Sequence, residues 1–486
     1  MSDTVRKFLS GTFWTTSESV IFNILNILQL AITSRYLTKI DFGIYAIVLF
    51  FSTLGTTVFS MGFSAALIQK KGDVYKYLNT SWSTGILVAV IASLLLSLAC
   101  PIICNFYYHN NEAIYPSLAI ILCLFVTPLA NPAVILLLKE IKLKRYFYLR
   151  VIPKLLSFIL VVFFALTIRS YWALVVALLV EEISRTIYSY YLVPYKPKFH
   201  FDKSQFVELY SFGGWLQLKN ICHWFVSNID TAIVGNILNT SLLGQYNRAR
   251  SISNIPSTLV NNVINSVAFP LYSQMQDDKI KLSKTINEIL NIVLMAVGLI
   301  VLVVLLFGGN LINLVLGPNW EEISLVFKIL IIAISVQSLL FSLNPIMRAY
   351  GYTNLEFMFY VISIFLMILF MYPMTKIWKL DGTAYSILFS VLISVPIMMA
   401  VIKKKIQISF FEFTFNTLMT IIQITVCYFI CKYFLSFQFW GYYTWIFNCF
   451  LAIILFGVLV FICGYFNIGA GKNIPLLLAL LNRKTK

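Results

Sequence analysis

Residues 230–250 of this 486-residue chain read DTAIVGNILNTSLLGQYNRAR and place an acid and two arginines in otherwise apolar surroundings. A guanidinium can bind a carboxylate or a phosphate through two parallel hydrogen bonds. Arg248 and Arg250 point about 200° apart on a helix, so Asp230 can pair with only one of them. The other arginine then requires a second anion or a water-filled cavity. A simple structural pair between Asp230 and one arginine is the alternative.

The composition places these charges in a membrane protein. Hydrophobic residues make up 60% of the chain and charged residues only 11%, whereas soluble proteins average about 25% charged residues. Apolar stretches recur along the whole length, and each can cross a hydrocarbon layer of roughly 30 Å as a helix. The sequence therefore predicts an all-α integral membrane protein.

Fourteen segments have the length and apolar character of transmembrane helices. They lie near 12–37, 42–67, 82–106, 113–138, 150–168, 171–193, 214–238, 242–272, 286–307, 323–349, 355–373, 381–402, 416–435 and 443–466.

The basic residues predict the orientation of these helices. With the N-terminus inside, most of the 36 Lys and Arg residues fall in cytoplasmic segments such as KEIKLKRYFYLR (139–150) and KKK (403–405), as the positive-inside rule requires. We therefore interpret the net charge of +17 as a collar facing anionic membrane lipids, and no nucleic-acid partner is expected. Both termini are predicted to be cytoplasmic.

The depth of the charged residues makes them costly. Asp230 and the two arginines lie about ten residues from a predicted turn at Asn239–Thr240, or roughly 15 Å into the membrane. A charge at the centre of a bilayer costs about 2.5–3.5 kcal/mol by insertion scales. Such residues are expected to face protein or a wet cavity.

An internal repeat organises the chain. A shift of 201 residues aligns Gly43 with Gly244 and Tyr45 with Tyr246 without a gap. The shift equals six spans, an even number, so it predicts two parallel six-helix repeats around a central cavity, with two extra C-terminal helices. The predicted domains are an N-terminal lobe (1–200), a C-terminal lobe (201–402), and the final helices with a cytoplasmic tail (403–486).

Polar faces on the first and seventh helices supply further candidate residues. Lipid cannot satisfy such groups, so they contact either one another or a ligand in the cavity. Glu18 and Lys219 are equivalent under the shift and carry opposite charges, so they either form a gate between the lobes or each snorkel or pair within their own lobe. The predicted ligand contacts are Arg248, Arg250, Asn26, Asn220 and Asn228, and the predicted gating or ion-coupling residues are Glu18, Lys219 and Asp230.

The cysteines and histidines predict no metal or cofactor site. The eight Cys lie mostly inside apolar spans, and the three His are scattered along the chain. Buried cysteines pack as small hydrophobic residues, and no disulfide framework is expected.

Several motifs resemble a known transporter family. These are SRYLTKIDFGIYAI (34–47), GFSAALIQKKG (62–72), LNTSWSTGIL (78–87), NIDTAIVGNILNTSLLGQYNRARSISNIP (228–256) and FPLYSQMQDD (269–278). Together they resemble the polysaccharide flippases of the multidrug/oligosaccharidyl-lipid/polysaccharide exporter superfamily, in particular the exporters of O-antigen, colanic acid and teichuronic acid. The resemblance extends over roughly residues 10–400.

The resemblance implies alternating access in a bacterial cytoplasmic membrane and a substrate of undecaprenyl-diphosphate-linked oligosaccharide. It also implies H+ or Na+ as a coupling ion and polysaccharide polymerase machinery as a partner. One alternative is a cation-coupled multidrug exporter of the same fold, whose cavity should be acidic. Another is a membrane polysaccharide polymerase or ligase, which usually needs a large outer loop. The short connections between spans favour a transporter rather than an enzyme.

Overall fold

The structure of the protein is a computed structural model that describes residues 3–70, 72–275, 278–350, 352–406, 410–435 and 444–465. These residues form helices and turns, with no β-strand among them. The α-helices are α1 (Asp3–Tyr36), α2 (Lys39–Phe59), α3 (Phe63–Gln69), α4 (Tyr75–Ile102), α5 (Ile114–Leu124), α6 (Ile135–Lys139), α7 (Leu143–Thr167), α8 (Trp172–Leu192), α9 (Lys203–Ile237), α10 (Thr240–Gln274), α11 (Lys279–Val315), α12 (Ser324–Ala349), α13 (Thr353–Ile406), α14 (Phe411–Leu435) and α15 (Thr444–Tyr465).

Each of the fourteen predicted segments contains helix, but two are interrupted. The segment 42–67 divides into α2 and α3 at Gly62, whose φ of 67° lies in the left-handed region, where glycine carries no steric cost. A Cβ at Gly62 would overlap the backbone of Gly213 on α9. The close approach of two backbones therefore explains this interruption.

The segment 113–138 is broken for a different reason. Pro128 and Pro132 each lie within a short 3-10 turn between α5 and α6. Each proline removes a helical hydrogen bond and kinks or breaks a helix, and two of them lie four residues apart here. Between them Asn131 donates from Nδ2 to the carbonyls of Val193 (2.8 Å) and Tyr195 (3.0 Å). The prediction of one continuous span here was wrong.

The long helix α13 contains a chain reversal. Lys379 has φ 51° and ψ −130°, which no helix permits. The hydroxyls of Thr375 and Thr383 lie 2.9 Å apart, whereas residues eight apart on a straight helix are separated by about 12 Å. The two predicted spans 355–373 and 381–402 are therefore the arms of a helical hairpin.

Eight of the described helical stretches are long and apolar enough to cross a membrane. One of them, Asn354–Lys405, includes both arms of α13. The protein is an all-helical membrane protein, and the exact count of fourteen spans stays a prediction.

The chain divides into two compact units. The first contains residues 1–248 and 315–317, and the second contains residues 249–314 and 318–486. The division falls inside α10, so the predicted domains 1–200, 201–402 and 403–486 remain a prediction from the repeat. The predicted cytoplasmic tail lies outside the described residues.

In the second unit, the last two helices pack against α11. Asn416 of α14 donates to Asn291 of α11 at 3.0 Å, and both side chains are buried. Leu302 of α11 forms an apolar cluster with Cys427 of α14 and Phe456 of α15. The cluster agrees with the prediction that these cysteines serve as small apolar residues.

In the first unit, α2 and the start of α10 cross at a symmetric glycine contact. A Cβ on Gly43 would overlap the carbonyl oxygen of Thr240, and a Cβ on Gly244 would overlap that of Lys39. The 201-residue shift converts the first contact into the second. A pair of contacts exchanged in this way is what a local two-fold axis produces, so the contact supports the predicted repeat.

The connection between α8 and α9 is held against α4. Asn79 Oδ1 accepts hydrogen bonds from the Tyr195 hydroxyl and the Lys198 amide, both at 2.9 Å. Glu208, ahead of the predicted span 214–238, pairs with Lys70 and accepts from the Tyr77 hydroxyl at 2.6 Å. These two contacts hold the pKa of Glu208 below its usual value. The Glu208 contacts therefore persist at neutral pH and are lost only as the pH falls through this lowered pKa.

Glu208→Gln is expected to loosen the start of α9 at neutral pH, because the neutral amide cannot form the ion pair with Lys70. Amide hydrogen exchange of residues 206–212 should become faster. Glu140→Gln is the matched control, since it removes only a local ion pair with Lys142. Equal exchange in the two variants would contradict the role assigned to Glu208.

Candidate functional site

Helix α7 presents two cations on one face. Arg150 and Lys154 are four residues apart and therefore neighbours on the helix surface. Arg150 Nε lies 2.9 Å from Glu18 Oε1 on α1, and Lys154 Nζ lies 3.4 Å from Glu181 Oε2 on α8. The helix that carries both cations is one of the candidate membrane spans.

Helix α8 extends this arrangement. Arg185 lies 3.2 Å from Glu181 and 3.1 Å from Glu182. Glu182 also accepts from the Thr127 hydroxyl at 3.5 Å. We refer to the six ionisable residues on α1, α7 and α8 as the charged cluster; they are Glu18, Arg150, Lys154, Glu181, Glu182 and Arg185.

Two of the cations in the charged cluster are more exposed to solvent than its three glutamates. The side chains of Arg150 and Arg185 are 43% and 38% exposed, whereas those of the three glutamates are between 13% and 15% exposed. A guanidinium has five N–H donors, and the carboxylate contacts leave donors available on both arginines. The arrangement can therefore accept an anionic group such as a phosphate while the glutamates keep the cations in place.

Arg150 and Lys154 were not predicted as a site from the sequence. Arg150 was placed in the cytoplasmic segment 139–150, but α7 begins at Leu143 and contains Arg150 in its third turn. The i, i+4 spacing of two cations at the start of an apolar stretch was the available signal. The i, i+4 spacing of Glu181 and Arg185 is typical of a local ion pair on a helix, and the two side chains form that pair.

Asp230 and Arg248 lie in the first unit, near the crossing of α2 and α10. Asp230 is fully buried and accepts hydrogen bonds from the Tyr246 hydroxyl at 2.5 Å and the Thr231 amide at 2.7 Å. The Arg248 guanidinium lies 4.1 Å from the centroid of the Phe42 ring and donates to Asn247 at 3.1 Å. Arg248 is thus directed at an aromatic face and an amide rather than at Asp230.

Arg248 is 6% exposed, and its Nε is buried without a hydrogen-bond partner. The face of an aromatic ring attracts a cation but only partly offsets the loss of hydration. Charges retained inside membrane proteins usually serve function. The burial of Arg248 is therefore consistent with a functional role in another conformation.

Replacing Arg248 with Met is expected to preserve or raise thermal stability, while export, the activity that the family resemblance implies, falls. The apolar side chain fills similar space and removes the cost of burying a cation. Melting of the purified protein and the amount of exported product should be measured together. Arg145→Met, at an exposed arginine near the start of α7, is the control and should change neither. A large loss of stability in Arg248→Met would instead assign Arg248 a structural role.

The other predicted residues lie on α1, α9 and α10. Asn26 is exposed on α1, Lys219 and Asn220 are partly buried on α9, and Arg250 is partly exposed on α10 in the second unit. Asn228 on α9 donates to the Trp224 carbonyl at 2.9 Å, a contact within its own helix. Their roles in ligand contact and gating remain predictions.

The fold and family follow from comparison with known proteins. The chain is 24% identical over 373 residues to the lipopolysaccharide biosynthesis protein WzxC of Escherichia coli (strain K12), covering 74% of each chain. It is 23% identical over 254 residues to the teichuronic acid biosynthesis protein TuaB of Bacillus subtilis (strain 168), covering 52% of each. The second alignment thus spans about half the length of that relative.

Two solved structures show the same fold. The lipid II flippase MurJ in an inward closed conformation superposes with a TM-score of 0.74 at 14% identity, over 93% of this chain and 99% of that one. An inward-facing multidrug resistance MATE family transporter of the MOP superfamily gives a TM-score of 0.65 at 12% identity, over 79% and 94%. The sequence profile of a family described as polysaccharide biosynthesis protein matches residues 32–325. Because this match covers more than half of the sequence, the chain belongs to that polysaccharide biosynthesis protein family.

Proposed function

We propose that the protein is a flippase that moves polyprenyl-diphosphate-linked oligosaccharides across the bacterial cytoplasmic membrane by alternating access. The observation that carries the proposal is the charged cluster on α1, α7 and α8. Cations inside a membrane protein are retained where they serve a substrate pathway. In such a substrate, a diphosphate joins the lipid tail to the glycan. The diphosphate is negatively charged, so cations are required along the path of the headgroup through the membrane.

Arg150 and Arg185 would contact the diphosphate. Each is the more exposed member of its ion pair, so phosphate oxygens can reach the guanidinium without first displacing a glutamate. The glutamates would hold the two arginines at fixed positions and restore charge balance after the substrate leaves. The sugars would meet amide side chains, for which the predicted residues are Asn26, Asn220 and Asn228.

Exchange of ion-pair partners would accompany alternating access. Glu18 pairs with Arg150 in this structure, and the repeat predicts that it approaches Lys219 when the cytoplasmic side closes. Asp230 is the candidate for coupling to H+ or Na+, and polysaccharide polymerase machinery is the partner expected to consume the product. Both termini would lie in the cytoplasm, as the distribution of Lys and Arg predicts.

Deletion of the gene tests this function. Lipid-linked repeat units should accumulate on the cytoplasmic leaflet, and surface polysaccharide should disappear. Expression of the wild-type chain should reverse both changes. Units that reach the outer leaflet but are not joined into longer chains would indicate a polymerase or ligase instead. Normal surface polysaccharide together with sensitivity to cationic drugs would indicate a drug exporter.

A further inference from the structure

A polar cavity lies at the end of the first unit that is predicted to face outside. Its volume is about 800 Å³, within the range of small-molecule binding sites. It forms where the start of α2, the segment after α4, and the turn between α9 and α10 with the start of α10 meet. Four asparagines, one histidine, one glutamate, two hydroxyl residues and one isoleucine line it.

Irregular backbone shapes one wall of this outer cavity. Residues Ile103–Tyr107 continue α4 as a π-helix, a rare conformation that is frequent at functional sites. His109 follows with φ 51°, in the left-handed region, and strained residues of this kind cluster at ligand sites. The next residue, Asn110, donates to the Thr240 hydroxyl at 2.7 Å across the cavity wall.

Two of the asparagines stabilise the wall. Asn110 Oδ1 accepts from the Ala113 amide at 3.0 Å, and Asn239 Oδ1 accepts from the Leu242 amide at 2.8 Å at the start of α10. The side chains of Asn105, His109 and Asn111 line the cavity and are exposed. The wall is therefore fixed by one set of polar groups and presents another set to a ligand.

The lining selects the chemical class of the ligand. Each carboxamide offers both donors and acceptors, the combination that a sugar hydroxyl needs. The described lining contains no Lys or Arg, so a phosphate would lose its hydration without a cationic partner. Ile40 is the one aliphatic residue that lines the cavity, which offers little surface for a lipid chain. Glu112 adds acceptors for hydroxyl groups.

We propose that the outer cavity binds a neutral sugar. In the cell, this sugar would belong to the glycan of the lipid-linked substrate after its transfer, so this part of the inference rests on the proposed function. A weak site on the outer side would hold the headgroup as it leaves the transporter and oppose its return. The charged cluster and the outer cavity then serve different parts of the same substrate.

Protection of an introduced cysteine from chemical modification tests the sugar site. Ile40→Cys protein, in which the cysteine lines the cavity but replaces no hydrogen-bonding group, is treated in lipid nanodiscs with a membrane-impermeant maleimide in the presence of glucose, galactose, N-acetylglucosamine, or the oligosaccharide released by mild acid from the cell's own lipid-linked units. Labelling should slow by about threefold when the sugar concentration is twice its dissociation constant, because one-third of the sites are then empty. Arg169→Cys, at the exposed turn between α7 and α8, is the control and should be unaffected.

The outcomes separate the site from the proposed function. Failure of all four sugars to slow labelling, equal slowing at both cysteines, or slowing by inorganic phosphate would overturn the proposal. The nanodisc measurement requires no transport, so saturable protection by a sugar would support the site even if gene deletion strands no lipid-linked units. In intact cells, slower labelling when lipid-linked units are made than when their synthesis is blocked identifies the cargo as the source. If the labelling rates in cells are equal under the two conditions while sugars protect the cysteine in nanodiscs, the natural ligand of the cavity is a free sugar.

Discussion

Arg150→Ala is expected to reduce surface polysaccharide at least about tenfold at matched protein levels, because a hydrogen bond to a charged group is worth about 1.5–3 kcal/mol. The substitution removes the cation of the Glu18–Arg150 pair, which is the more exposed of the two side chains. The diphosphate would then lose a bidentate partner inside the membrane, where water cannot replace it. The amount exported should be measured by quantitative blotting of the surface glycan.

Glu18→Gln distinguishes substrate binding from simple pairing. It breaks the same ion pair but leaves the guanidinium of Arg150 in place, so export should be much less affected than in Arg150→Ala. Arg150→Lys should be intermediate, because a lysine keeps the charge but lacks the planar fork of donors. Equal defects in Arg150→Ala and Glu18→Gln would show that the pair only stabilises the fold.

Gly244→Ala is expected to destabilise the protein by about 2 kcal/mol or more, at the upper part of the usual range for overpacking. The added methyl group would overlap the Lys39 carbonyl oxygen, and a backbone atom cannot move aside as a flexible side chain can. Gly43→Ala should have a similar effect because the repeat places it against the equivalent carbonyl of Thr240. Thermal melting of the purified variants measures both changes.

Gly457→Ala is the matched control for the glycine contact. Gly457 lies within α15, and a Cβ there would have no neighbour within 4 Å. Alanine is favoured over glycine inside a helix by about 1 kcal/mol, so this variant should be as stable as the wild type or slightly more stable. Indistinguishable melting of Gly244→Ala and Gly457→Ala would contradict the close crossing of α2 and α10.

The sequence was sufficient to predict the helices but not their interruptions. The length of each apolar stretch identifies a helical segment, because the backbone of a membrane span must form its hydrogen bonds within the segment, as a helix does. The break at Gly62 depends on the approach of Gly213 from α9, which no local pattern reveals. The break near Asn131 was easier to predict from the sequence, since Pro128 and Pro132 flank it. The segment was nevertheless predicted as one span because of its apolar character.

The partners of the charged residues were harder to predict than their positions. A pair between Asp230 and an arginine was one alternative from the sequence, and the structure shows a hydrogen bond from the Tyr246 hydroxyl to Asp230, a contact that the sequence spacing did not suggest. Sequence separation predicts which groups share a depth in the membrane, but the rotation of each helix decides which groups meet. Glu18 illustrates the same limit: its polar face was identified, but its contact with Arg150 depends on how α7 packs against α1.

Reconstitution of the purified protein tests its proposed activity most directly. Liposomes are prepared with a lipid-linked oligosaccharide in both leaflets and treated with a membrane-impermeant glycosidase. Without the protein, only the substrate in the outer leaflet should be cleaved. With the wild-type chain, nearly all of it should be cleaved, because units from the inner leaflet are transferred outward, and Arg150→Ala should slow cleavage of the inner-leaflet substrate at least about tenfold. Cleavage limited to the outer leaflet in tight liposomes containing folded wild-type protein, with H+ and Na+ gradients supplied, would contradict the proposal that this chain is a flippase.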